Sequence, residues 1–279
     1  MAEVEQLLRN GELDEALTQL KGEVRRYPAD AKRRIFLFQL LVVMGEWERA
    51  LNQLNVLADL DASSLMMVHT YREAIQCEVL RQRVFRGELT PLVFGDPDRW
   101  VALMLEALRL TVVREFAQAH VLRDDALALA PAVAGKVGGE NFAWIADADM
   151  RLGPIIEIIL KGAYYWVPFG RIARITIAKP EDLRDLVWMP AEIRWTNGGE
   201  AVGLIPTRYP GTETNQDAQL RLARMTLWEE LAKGFFVGVG QRMLATDVGD
   251  YPLLNVRSID FLAAPESSAV SAPEAIGND

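Results

Sequence analysis

Hydrophobic positions are spaced differently in the two halves of the chain. Up to about residue 131 they read as stripes on paired amphipathic helices. From about residue 140 they gather in short runs rich in aromatic and β-branched residues, the texture of strands. In the first half, Gly11-Glu12-Leu13-Asp14-Glu15-Ala16-Leu17 returns as Gly45-Glu46-Trp47-Glu48-Arg49-Ala50-Leu51, 34 residues later. That is the period of a tetratricopeptide repeat, in which the small alanine lets two antiparallel helices approach closely. Tyr27-Pro28 stands where such a repeat carries its closing proline. The same ruler predicts helix pairs starting near residues 31, 65 and 99. Asp96-Pro97 then reads as an N-cap followed by proline at the first helical position. Ala107, Ala119, Ala126 and Pro131 occupy the small-residue and proline positions after a one-residue shift. The copies are degenerate: Phe38 and Val84 stand where small residues are expected.

Stacked pairs form a superhelix whose first helices line the concave face. The repeat register places Lys32, Ile35, Gln39 and Val42 there, then Met66, His69 and Glu73, then Val101, Met104 and Leu108. Such a mixed surface suits an amphipathic helix or an extended peptide. It equally suits packing against the second half of the chain.

Three glycines among residues 132–139 read as a linker. Beyond it, residues 152–161 read as one short helix with Gly153-Pro154 at its start. Strands are predicted at 164–168, 172–178, 186–196 and 201–207, with the last two joined by a hairpin at Asn197-Gly198-Gly199, and a final pair at 241–247 and 253–262. Residues 217–231 favour helix by propensity, but the short strands around them tip the reading to strand. The expected fold is multidomain α+β: a tetratricopeptide-like helical superhelix (1–131), a linker, a small β-rich, barrel-like domain (140–263), and a disordered tail (264–279) without large apolar groups.

Composition narrows the function. Of 279 residues, 50% are apolar and 25% charged, and the formal net charge is -9. Neither half is basic, which argues against nucleic-acid binding. Cys77 is the single cysteine and His69 and His120 are the two histidines, so neither a disulfide framework nor a Cys- or His-rich metal site is expected. No apolar run reaches the roughly 20 residues needed to span a bilayer, and the acidic N-terminus is not a secretory signal; the expected address is cytoplasmic. No cofactor motif is found. The best enzyme-like cluster is Asp147, Asp149 and Arg151, with Arg208 beside it, readable as a small-ligand or hydrolytic site. The simpler reading has Asp149 capping the short helix and Asp147 paired with an arginine at the domain interface.

Several stretches, in order, resemble the ImpE/TagJ family. They include Leu51-Asn52-Gln53-Leu54, Thr70-Tyr71-Arg72, Pro91-Leu92-Val93-Phe94-Gly95, Trp144-Ile145-Ala146-Asp147-Ala148-Asp149, Tyr164-Tyr165-Trp166-Val167-Pro168, Asp182-Leu183-Arg184-Asp185-Leu186-Val187-Trp188 and Gly240-Gln241-Arg242. The resemblance implies a bacterial cytoplasmic accessory of the type VI secretion system, not an enzyme. Its partner would be the N-terminal helix of the small sheath subunit (TssB/VipA), and its effect would fall on sheath assembly or on disassembly by the ClpV ATPase. It implies no catalytic residues.

Overall fold

A computed structural model describes residues 1–96 and 98–262. Pro97 and the expected tail lie outside the described residues. Helices α1 (Ala2–Asn10), α2 (Leu13–Arg26), α3 (Ala31–Val43), α4 (Trp47–Leu60) and α5 (Leu65–Phe85) come first. Strand β1 (Leu92–Val93), α6 (Arg99–Val112) and α7 (Phe116–Leu129) follow. Three helix pairs turn in the same way. At the ends of α1, α3 and α6, the N–H groups of Glu12, Glu46 and Glu115 donate to the carbonyls of Leu7, Leu41 and Leu110, each at 2.9 Å. This six-to-one closure needs a left-handed residue in the turn. Gly11 and Gly45 supply it with φ of 84° and 74°, and Arg114 does so at 65°. Asp30 caps α3 by accepting from Arg33 N at 3.0 Å.

Two sequence expectations change here. The pair expected from residue 65 is one continuous helix of 21 residues, α5. At the offset where Gly11 and Gly45 break their helices, this stretch has Val79, and nothing interrupts it. Helix α6 begins at Arg99 with Asp98, not Asp96, at its N-cap.

The second half is β2 (Gly135–Val137), β3 (Glu140–Phe142), β4 (Ile145–Asp147), β5 (Ile155–Leu160), β6 (Ala163–Pro168), β7 (Ile172–Ile177), β8 (Trp188–Trp195), β9 (Glu200–Pro206), α8 (Ala218–Arg221), β10 (Thr226–Ala232), β11 (Phe235–Gly240), β12 (Met243–Thr246), β13 (Asp250–Pro252) and β14 (Ser258–Phe261). The fold is therefore α+β, with helices first and sheet after. Nine strands form one sheet in the order β1-β6-β5-β9-β8-β7-β14-β2-β3, with β10-β11 and β13-β12-β4 as smaller sheets. This open order takes the place of the expected barrel. The expected linker contains β2, which pairs with β14 and β3. Residues 152–161, expected to be helical, hold β5. Its run Ile-Ile-Glu-Ile-Ile-Leu is buried on both faces, which suits β-branched residues at the centre of a covered sheet. Residues 217–231 divide: α8 is a short helix and β10 a strand.

The sheet joins the helices in one apolar core. Ile155, Ile159, Tyr164, Trp166 and Trp188 share a cluster with Leu20, Leu41, Leu54, Tyr71, Val101 and Met104. The other face of the sheet builds a second core from Ile156, Ile158, Val167, Ile175, Met189 and Ile259. The connection between α5 and α6 also enters the sheet: β1 pairs parallel to β6.

Candidate binding groove and the charge seam beneath it

Helix α3 packs on the turn Leu183–Leu186. Asp182 and Asp185 hold that turn by reciprocal capping, each side chain accepting from backbone N–H groups of the other's end. Between α1, α3 and this turn lies a groove of about 630 Å³. Ile35, Phe36, Leu183 and Leu186 give it apolar walls. Glu5, Lys32, Glu181 and Asp182 bring charge to it.

Beneath, where α5 meets the sheet, lies a chain of buried charge. Arg81 donates from Nε and Nη2 to the two oxygens of Glu157 at 2.7 and 2.9 Å, from Nη1 to Glu78 at 2.8 Å, and again from Nη2 to the Arg208 carbonyl at 2.8 Å. Glu157 also accepts from Tyr164 Oη and from Arg242. Arg242 continues to Asp147, and Asp147 accepts from Asp149 N at 2.9 Å and Tyr209 Oη at 3.1 Å. Glu78 accepts from Trp188 Nε1 at 3.0 Å. Burial alone would raise the Glu157 carboxyl, but Arg81 and Arg242 overcome it and hold it at about 2. Burial pushes Asp147 up to about 6, helped by the Asp149 and Glu157 carboxylates and opposed by Arg242. Glu157 is the lone acid in an isoleucine run. A charge in such a run demands a partner, and that was the signal available in the sequence.

Two further arginines tie the sheet half to the repeats. Arg208 donates to the carbonyls of Val43 at 2.8 Å and Val42 at 3.4 Å; Arg224 donates to those of Arg9 at 2.9 Å and Leu8 at 2.8 Å. Leu8 and Arg9 precede Val42 and Val43 by the 34-residue period. The C-terminal ends of α1 and α3, where carbonyls lack helical partners and the helix dipole is negative, thus each receive a guanidinium. Burial lowers Arg208 to about 10.

The expected concave-face residues part company. Lys32, Ile35 and Gln39 line the groove. Met66, 83% exposed, and His69 lie on α5 outside it, with His69 Nδ1 3.4 Å from the Glu73 carboxylate. Glu73 abuts Gly162, where a β-carbon would fall 2.8 Å from its carboxyl carbon. Val42, Val101, Met104 and Leu108 are buried in the core shared with the sheet, away from the groove. The chain's own strands cover them.

The enzyme-like cluster is closed. Asp149 holds the Arg151 N–H and side chain and the Gly238 N–H, so both its oxygens are occupied, as are both of Asp147. Asp149 caps no helix, because β5 follows. The pairing of Asp147 with an arginine is as expected, and that arginine is Arg242. Arg171 and Arg194 sit at the surface beside Asp98 and Glu200. Among the described residues, no three or more His, Cys, Asp or Glu side chains are grouped to hold a metal ion, and no helix is long and apolar enough to cross a membrane.

A Pseudomonas aeruginosa protein named type VI secretion system accessory component TagJ is 49% identical to this chain over 257 residues, covering 92% of this chain and 90% of the relative. This chain belongs to the ImpE/TagJ family. The family model for ImpE protein matches residues 139–260, the sheet half. The long alignment with the relative runs through both halves. The crystal structure of protein VPA1032 from Vibrio parahaemolyticus shares the fold, with a TM-score of 0.84 over 93% of this chain and 97% of that one, at 24% identity.

Proposed function

We propose that this chain is a non-catalytic, cytoplasmic binding component of a type VI secretion system, and that the groove between α1, α3 and the turn at 183–186 receives the apolar face of a partner helix. The observation that carries this reading is the groove itself: an open, apolar-walled channel edged by both signs of charge, formed by the part of the repeat surface that the sheet leaves uncovered. An amphipathic helix lays an apolar stripe into such a channel and sets its charged flanks against the rim. The 34-residue recurrence and the shared turn geometry support a degenerate tetratricopeptide-like array behind it. Family membership supports the N-terminal helix of the small sheath subunit (TssB/VipA-like) as the occupant, and sheath assembly or its ClpV-driven disassembly as the process affected.

Calorimetric titration with a peptide of that helix tests the reading. Ile35→Glu with Leu183→Glu is expected to lower affinity at least a hundredfold while the circular dichroism spectrum and melting point hold. Met66→Glu, on α5 outside the groove, is expected to leave it unchanged. Unaltered binding by the groove double variant would sink the assignment.

A further inference from the structure

A second concavity, of about 410 Å³, opens on the side of the molecule where α7 meets β4. Met104, Leu127, Pro131, Trp144, Met150 and Pro154 give it apolar walls, Arg123 contributes its one cationic side chain, and Asp147, its carboxylate taken up by Arg242 and Tyr209, is the one acid along it. Its volume lies within the range that small-molecule sites occupy.

Arg123 stands apart from the other deeply buried arginines. Arg81, Arg208 and Arg242 are each 4% exposed or less, and each is satisfied by carboxylates or backbone carbonyls. Arg123 is just as buried, at 3%. Yet among the described residues its Nε has no hydrogen-bond partner, and no carboxylate forms an ion pair with it. It rests its Cζ 4.1 Å from the centroid of the Phe235 ring. A ring face compensates a desolvated guanidinium only in part, and an unmatched buried charge is costly. Burial pulls this arginine below its ordinary range, with Asp124 and Asp149 opposing at a distance.

We propose that this cavity binds an amphiphilic carboxylate, an apolar chain or ring bearing one acid group, with the acid seated on Arg123 and the apolar body on the surrounding walls. One planar guanidinium matches one carboxylate, in charge and in its paired donors. A phosphate dianion would be left half-neutralised among apolar walls. Trp144 and Leu127, both substantially exposed, form the mouth. The site is separate from the α3 groove and stands whether or not that groove holds a helix.

The test is calorimetry on the full chain with two matched pairs of probes: octanoate against octanamide, and a short peptide ending in leucine as the free acid against its amide. Wild-type protein is expected to prefer at least one acid over its neutral partner by tenfold or more. Octanoate preference assigns a free small molecule as the source; preference for the peptide acid alone assigns a chain terminus. Arg123→Met, checked for an unchanged melting point, is expected to abolish the preference, and Arg123→Lys to restore part of it. Trp144→Ala is expected to weaken acid and neutral probes alike. Absence of preference in the wild type for both pairs, or its survival in Arg123→Met, overturns the proposal.

Discussion

The outer faces of the helices and the seam where helices meet the sheet use the same ionic residues in opposite ways. In the helices, Arg26 and Glu23, Arg49 and Glu46, and Arg109 and Glu106 pair three positions apart along exposed surfaces. Such pairs are worth about 0.5 kcal/mol or less, because either member is solvated when the other is lost. In the sheet half, Arg242 with Asp147 and Glu157, and Arg151 with Asp149, lie in the interior. There, losing one member leaves a charge with no water to receive it. The difference teaches that the surface pairs decorate helices that would form without them. The interior chain ties strand to helix, because Arg81 of α5 and Arg242 share the Glu157 carboxylate of β5.

The sharpest way to break this contrast is to replace one interior anion. Glu157→Gln strands parts of both Arg81 and Arg242, and a loss of about 3–5 kcal/mol is expected from the urea midpoint. Glu106→Gln at the surface is expected to change it by less than about 0.5 kcal/mol. Acid titration sharpens the same point. Glu157, held at about 2 against an ordinary 4.5, contributes stability that is complete above about pH 4.5 and is lost as pH falls towards 2. Asp147 runs the other way. Between its ordinary 3.8 and about 6 the folded chain keeps a proton that the unfolded chain has released, so its contribution declines as pH rises through that window. Urea midpoints measured against pH are expected to flatten below pH 4.5 in Glu157→Gln, and between pH 4 and 6 in Asp147→Asn.

The two carbonyl-gripping arginines compare burial at equivalent repeat positions. Arg208→Met is expected to cost about 2–3 kcal/mol, and exposed Arg224→Met about 1 kcal/mol or less. Equal losses would show that burial does not set the scale. Glycines give the smallest pair of effects. Gly45 has φ of 74°, and a β-carbon there would lie 2.6 Å from Glu213 Cγ. Gly45→Ala is expected to destabilise by more than about 1 kcal/mol. Gly22, inside α2 with nothing nearby, should gain about 0.5–1 kcal/mol as alanine. Thermal melts of both variants check the sign.

What was legible in the sequence follows the same division. The helix pairs at α1–α4 and α6–α7 were readable because their turns are local, with a left-handed residue and a small alanine at fixed spacing. Strands β6 to β9 were readable from their β-branched runs and from Asn197-Gly198-Gly199, whose Gly198 takes φ of 84°. Strand β5 was not, since an isoleucine run is compatible with helix or strand until a sheet closes on both its faces. Strand β2 was hidden by glycines that serve its hairpin, not a linker. The groove was half legible: the repeat register found Lys32, Ile35 and Gln39, while Leu183 and Leu186 arrive from the far half of the chain. The Arg81–Glu157 bond spans 76 positions, and nothing local to either residue names the other.

The shared core of Tyr71, Trp166 and Trp188 has a practical consequence for anyone who works with this family. Cutting the gene at the helix–sheet boundary would yield two fragments with greasy, sticky faces, and pull-downs with either piece would report that stickiness. The roles of the two regions are better separated by single substitutions in the intact polypeptide, where the interior stays shut.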